Sequence, residues 1–308
     1  SGVAAGALWG LVFIAPQVVG AFGPLQLAAG RYLTYGIFAL ALVAPAWRRL
    51  RGELGRREWL ALAWLSLLGN TLYYIFLAAA VQLGGVAMTS LVIGFLPVAV
   101  TIIGSRDSGA VPLSRLAPSL LLRAAGILCI GWGTLVRADA DALGTQALGL
   151  ACAFGALASW TAFAVGNARW LGRLDRISPH DWSLLIGVVT GAQALLLLPP
   201  ALLFDPVAHS AAEWLRFGAI CSGIAIFSSI VGNGLWNRMS RLLPLTLVGQ
   251  MILFETLFAL LYGFLWDRRG PSVFEAAAII LVCASVLSCL AAHRPSARRT
   301  AALTTGHE

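Results

Sequence analysis

The sequence predicts an all-α membrane protein: ten transmembrane helices forming two inverted five-helix repeats around a central cavity. Three observations lead there. The 308 residues are 59% hydrophobic and 11% charged, with a mean hydropathy of +0.85, whereas soluble domains carry about 25% charged residues. Ten stretches are apolar over the roughly 20 residues needed to cross a hydrocarbon core about 30 Å thick. The arginines gather between those stretches, mostly on one side. A soluble fold would need polar residues on its outer helical faces, and these stretches have none to place there.

Helix one, Val3 to Val19, carries Trp9 and Gln17 as cavity candidates and Pro16 as a kink, since proline removes a backbone donor and frees a carbonyl. A short outer turn, Phe22 to Gln26, leads into helix two, Leu27 to Trp47. Arg31 lies there roughly 8 Å inside the outer end by helical rise. Helix three, Trp59 to Val81, holds Asn70, Tyr73 and Tyr74, and a tight turn at Gln82 to Gly85 returns the chain. Helix four, Val86 to Gly104, holds Thr89 and Ser90, with Gly94 and Pro97 as kink positions. Helix five, Ala117 to Val136, is anchored at its inner end by Arg123.

The second set begins with helix six, Ala147 to Gly166, which contributes Trp160 and Phe163. Helix seven, Trp182 to Phe204, supplies no cavity candidate, and helix eight, Phe217 to Trp236, supplies Asn233 and Trp236. Helix nine, Leu243 to Trp266, holds Gln250 and Glu255, the latter the only acidic residue deep in a span. A charged carboxylate at that depth costs about 2.5 to 3.5 kcal/mol on insertion scales. Glu255 lies roughly 18 Å from the inner end, so its depth overlaps that of Arg31 within a few Å. The two form a candidate proton or ion-pair site. Helix ten is Val273 to Ala292, and residues 293–308, polar and basic without apolar periodicity, read as a disordered cytoplasmic tail.

Residue type explains the choice of candidates. Asn and Gln inside a span must find partners, in a cavity or between helices, while Ser and Thr can bond their own backbone. Trp47, Trp59, Trp64, Trp182, Trp214 and Trp266 sit near span ends and suit interface belts. Mid-span Tyr73, Tyr74 and Trp160 do not, and their polar tips fit a cavity with flat aromatic walls.

All 21 basic residues are Arg, and the formal charge is +8. With the amino terminus inside, Arg137, Arg216, Arg268 and Arg269 fall in outer loops, Arg31 lies in the membrane, and the other sixteen lie inside. Basic residues accumulate on the cytoplasmic side, so both termini are expected there. Arginines distributed in this way exclude a nucleic-acid surface. Gly6-Ala7-Leu8-Trp9 is echoed by Gly155-Ala156-Leu157 with Trp160, and Glu58-Trp59-Leu60 by Glu213-Trp214-Leu215. The echoes predict a duplication, residues 1–138 and 146–292. An odd number of spans per half inverts the second half. Cys129, Cys152, Cys221, Cys283 and Cys289 lie in apolar stretches without metal spacing and read as packing residues. The histidines fall in loops or the tail, and no nucleophile, metal or phosphate-loop motif occurs. No metal, cofactor or enzyme chemistry is expected.

Ala7-Leu8-Trp9-Gly10, Arg31-Tyr32-Leu33, Ala87-Met88-Thr89-Ser90 and Phe95-Leu96-Pro97-Val98, set in this five-plus-five plan, resemble the EamA branch of the drug/metabolite transporter superfamily. In detail the chain looks most like the YddG-type bacterial exporters of aromatic amino acids. It departs from the family pattern at Phe254-Glu255-Thr256 and at Ser105-Arg106-Asp107. The resemblance implies a monomeric inner-membrane secondary transporter whose partners are the lipid bilayer and a small-molecule substrate, an aromatic or other neutral amino acid. Alternatives are a multidrug or nucleotide-sugar-like carrier of the same fold, or an intramembrane enzyme or receptor.

Overall fold

Every regular element among the described residues is helical, as a chain bathed in lipid requires, because a helix satisfies its own backbone donors and acceptors. The structure is a computed structural model that describes residues 2–104, 113–137, 140–174, 176–204, 207–233, 235 and 252–293. The candidates Trp236 and Gln250, the Arg123 side chain and the tail beyond residue 293 lie outside them.

Helix α1 spans Gly2–Val18 and runs through Pro16 two residues before its end. Helix α2, Pro24–Val43, starts with proline at its first position, where a missing N–H costs nothing. It does not reach Trp47 as one helix: a 3₁₀ turn at Ala44–Ala46 and a short basic helix α3, Trp47–Glu53, follow. Helix α4, Arg56–Ser66, is capped by Glu58 reaching back to the Gly55 amide at 2.9 Å. It widens into a π-helical segment π1, Leu67–Thr71, and continues as α5, Leu72–Ile93. Inside α5 the chain reverses at Gly85, φ +83° and ψ 165°, a conformation open essentially to glycine alone. That reversal is the turn expected at Gln82 to Gly85.

Helix four breaks where Gly94 and Pro97 were expected to kink it, between Ile93 and α6, Leu96–Gly104. Helix α7 spans Leu113–Arg137. Helix α8, Ala140–Leu171, starts seven residues before the expected Ala147, because Ala140, Ala142 and Leu143 favour continuing the helix into the connection. Helix α9 is Pro179–Leu203, and α10, Ala211–Ile224, opens with a capping box in which Glu213 accepts the Ser210 amide at 2.7 Å. The backbone N–H and hydroxyl of Ser210 hold the Glu213 carboxyl below its ordinary range. A second π-helical segment π2, Ala225–Gly232, follows, and then α11, Ile252–Trp266, and α12, Val273–His293.

Five helical runs are long and apolar enough to cross a membrane, Pro24–Glu53, Arg56–Ile93, Leu143–Leu171, Pro179–Leu203 and Ala211–Gly232, and Gly2–Val18, Phe254–Trp266 and Val273–Ser285 are shorter apolar helices. Their outer faces expose Leu195, Leu196, Leu203, Ile280 and Leu287, suited to acyl chains and not to water. The widest pairings are α2 with α9, α5 with α8, α7 with α12 and α1 with α11. At the α2–α9 crossing Gly36 meets Gly191, and a β-carbon on Gly191 would lie 2.6 Å from the Gly36 α-carbon. Small residues bring the two backbones together where no hydrophobic drive exists between helices.

A polar ladder ties α4 and π1 to α9. Ser66 donates to the Ile186 carbonyl at 3.1 Å, Thr71 to Gln193 Oε1 at 2.8 Å, and Gln193 Nε2 to the Ala63 carbonyl at 2.8 Å. At one end of the molecule Arg49 pairs with Asp181 at 2.8 Å, and Trp182 stacks on Trp170 with centroids 6.2 Å apart. Trp182, expected at the lipid interface, is instead 1% exposed and donates to Asn167 Oδ1 at 2.9 Å, because the indole N–H finds a protein partner there. Trp64, Trp214 and Trp266 are exposed, as belt residues should be.

Candidate functional site

Arg31 is the most unusual side chain in the fold. Helix α2 places it deep between α2, α5 and π2, and it is only 7% exposed. Its guanidinium carbon lies 4.3 Å from the Tyr74 ring centroid and 5.0 Å from that of Tyr32. The two rings meet edge to face at 5.8 Å. Such cation–π contacts contribute about 0.5 to 2 kcal/mol each when desolvated. The guanidinium makes one hydrogen bond, from Nη2 to Ser229 Oγ at a long 3.5 Å. Nε and Nη1 make none, and the buried Tyr74 hydroxyl, with no bond of good geometry, has the Arg31 guanidinium as its polar neighbour.

Glu255, on α11, is half-buried, with its charge close enough to interact with Arg31 and Tyr73. No nitrogen of Arg31 comes within 4.0 Å of its carboxylate, so the two act through space and not as a contact pair. Glycine positions this carboxylate: a β-carbon on Gly6 would lie 2.9 Å from the Glu255 amide nitrogen, so only a bare glycine lets α1 lie so close to α11.

The other candidates divide into those near this cluster and those spent on packing. Tyr73 and Tyr74 are buried and belong to it. Trp9 donates to the Ser228 carbonyl at 3.1 Å, and Ser228 donates to the Leu8 carbonyl at 2.6 Å, which fastens α1 to π2 next to Ser229. Trp160 and Phe163 meet edge to face at 5.8 Å beside π1, where Phe163 packs on Gly69 and Ser159 donates to the Leu68 carbonyl at 2.7 Å. Asn70 bonds Thr190 Oγ1 at 3.0 Å, and Gln17 bonds the Val81 carbonyl at 3.3 Å. Thr89 and Ser90 are fully buried and turn to their own helix, on the Gly85 and Ala87 carbonyls. Asn233 is half-buried just past π2.

Tyr32, Ser229 and Gln193 were not singled out from the sequence. Tyr32 stands next to Arg31 in the quoted motif, but a tyrosine in an apolar run carries no sign of facing a cation. Ser229 is one hydroxyl among many, and only the fold shows which one meets α2. No cluster of three His, Cys, Asp or Glu able to hold a metal occurs among the described residues.

A buried guanidinium between aromatic faces, with a carboxylate nearby but not in contact, suits non-covalent recognition of a small polar group. Comparison with known proteins points the same way. The model of the EamA-like transporter family matches residues 1–132. The inner membrane protein YtfF of Escherichia coli (strain K12) is 32% identical over 304 residues, which cover 92% of this chain and 91% of that protein. A solved crystal structure superposes with a TM-score of 0.59 at 21% identity, covering 96% of this chain and 97% of its own, and so shares the fold.

Proposed function

Because the chain belongs to the EamA-like transporter family, we propose that it is a secondary transporter that exports small amphipathic metabolites across the bacterial inner membrane, with aromatic or other neutral amino acids as its substrates. The observation that carries the reading is the cluster of Arg31, Tyr32, Tyr73, Tyr74 and Glu255, charged groups of both signs and flat apolar faces held inside apolar helices. Ionisable residues at such depth mark substrate or ion pathways. In this reading Trp9, Trp160 and Phe163 serve as further aromatic lining.

The transport cycle in this reading rests on ten membrane-crossing helices in two inverted five-helix repeats, residues 1–138 and 146–292. Two features support it. Exchanging the halves maps the pairing of helices two and seven (α2, α9) and that of five and ten (α7, α12) onto themselves. The echoed Glu-Trp-Leu motifs also behave alike, since Glu58 and Glu213 each cap a helix that then widens into a π segment. Repeats of this kind rock against one another around a site near mid-membrane. The arginine bias puts both termini in the cytoplasm, and the chain works as a monomer.

Purified protein in liposomes, offered a panel of amino acids with and without an imposed proton gradient, tests the reading. Saturable flux of phenylalanine, tyrosine or tryptophan is expected. Absence of flux for every amino acid on the panel sinks it.

A further inference from the structure

Arg31 is unusual in what it lacks. A guanidinium offers five N–H donors, and here one bond, at 3.5 Å, is all that the described residues supply. Ser228, next to Ser229, is committed elsewhere, to the Leu8 carbonyl. Buried polar groups in native proteins are nearly always bonded, so an exception calls for an explanation. Two exceptions meet here, the Nε and Nη1 nitrogens of Arg31 and the hydroxyl of Tyr74, whose ring lies under the guanidinium. The guanidinium nitrogens can only donate, and the Tyr74 hydroxyl, whose oxygen can accept from the guanidinium, still has its own O–H to donate. An acceptor would serve both, and beside an arginine the matching acceptor is anionic.

We infer that Arg31, with the Tyr74 hydroxyl beside it, is the receptor for a single carboxylate of the transported solute, and that the faces of Tyr32 and Tyr74 hold the apolar portion next to it. The inference rests on the transporter reading above and narrows it to carboxylate-bearing solutes. A phosphate dianion would call for several cations, and Arg31 is the one cation of the cluster among the described residues. Glu255, more than 4.0 Å from every Arg31 nitrogen and without an ion-pair partner among the described residues, is left for a cationic group on the same solute. Access follows from where the neighbours sit. Tyr74 begins just after π1 and Ser229 lies within π2. A π segment is where a helix can change register by one residue, and such segments recur at functional sites. A register change in either moves a group that now closes on the guanidinium.

Three probes sharing one ring separate the parts: L-phenylalanine, 3-phenylpropionate without the ammonium, and 2-phenylethylamine without the carboxylate. Binding to the purified full chain is read by thermal shift, and transport by competition in liposomes. Phenylalanine and phenylpropionate should bind and phenylethylamine should bind at least about tenfold more weakly. Arg31→Lys keeps the charge but loses the planar fork, and should weaken both carboxylates by about tenfold while leaving phenylethylamine unchanged. If Arg31→Lys does not fold, Tyr74→Phe removes one donor and should weaken the carboxylates severalfold. Phenylethylamine binding as well as phenylalanine overturns the inference, as does a failure of all three probes to bind. Carboxylate affinity unchanged in the variants also overturns it, but leaves amino acid export standing. Phenylpropionate binding without phenylalanine supports the carboxylate receptor and removes the amino acid reading instead.

Discussion

Glu255 and Arg31 show what a single residue type reveals in a membrane sequence. An acidic or basic side chain among apolar neighbours is visible at once, and both stood out for that reason. Their relation was not visible, because helical rise fixes depth but not rotation about the axis. A contact pair would make loss of either partner costly, about 3 to 5 kcal/mol for a buried pair. Without contact, Glu255→Gln should stay folded, with a melting temperature within a few degrees of the parent. If Glu255 couples export to protons, the same variant should carry a flux that no longer responds to an imposed pH gradient. Flux that still follows the gradient assigns coupling to another group. Trp160, edge to face with Phe163 and half-buried, is the other residue to test. Trp160→Ala should lower transport of a bulky solute and leave the protein monodisperse, and unchanged kinetics would make it a packing residue.

Elements were legible where their chemistry is local. Gly94 with Pro97 announced the break in helix four, and Gly85 the reversal before it. The π segments at Leu67–Thr71 and Ala225–Gly232 had no such sign, since a shift in hydrogen-bond register reflects tertiary fit and not composition. The α2–α9 crossing was also hidden: Gly36 and Gly191 are two glycines among 33 until the fold brings them together. Gly191→Ala should force those backbones apart and cost about 1 to 3 kcal/mol, read as a lowered melting temperature. Asn70→Ala, which frees Thr190 from its interhelical bond, should cost about 0.6 kcal/mol, the average for such bonds in a membrane. A larger loss than that of Gly191→Ala would mean that the polar ladder, not the glycine contact, holds these helices.

At the scale of the whole molecule, composition did most of the work, because ten apolar stretches separated by arginines leave few arrangements open. Family membership agrees with the coarser part of that reading, a multi-pass membrane transporter. The length of helix six was misread because the Ala-rich connection before it is itself a good helix former. The candidates Trp236 and Gln250 fall outside the described residues, so helix nine is seen only from Ile252 onward. The arginine bias makes a prediction of its own: reporter fusions at either terminus should read as cytoplasmic. A carboxyl-terminal fusion active only outside the cytoplasm would overturn the orientation and, with it, the inversion of the second repeat.

The stacked indoles of Trp170 and Trp182 lie where Arg49 clasps Asp181, and Trp47 faces Trp59 on the adjoining corner with centroids 6.4 Å apart. Indoles this close share their excitation, so each pair is a built-in optical gauge of the gap it spans. A movement of α8 against α9, or of α3 against α4, during a turnover should change emission and near-ultraviolet dichroism without any dye attached. Trp182→Phe should silence the part that comes from the α8–α9 pair and leave the Trp47–Trp59 part unchanged.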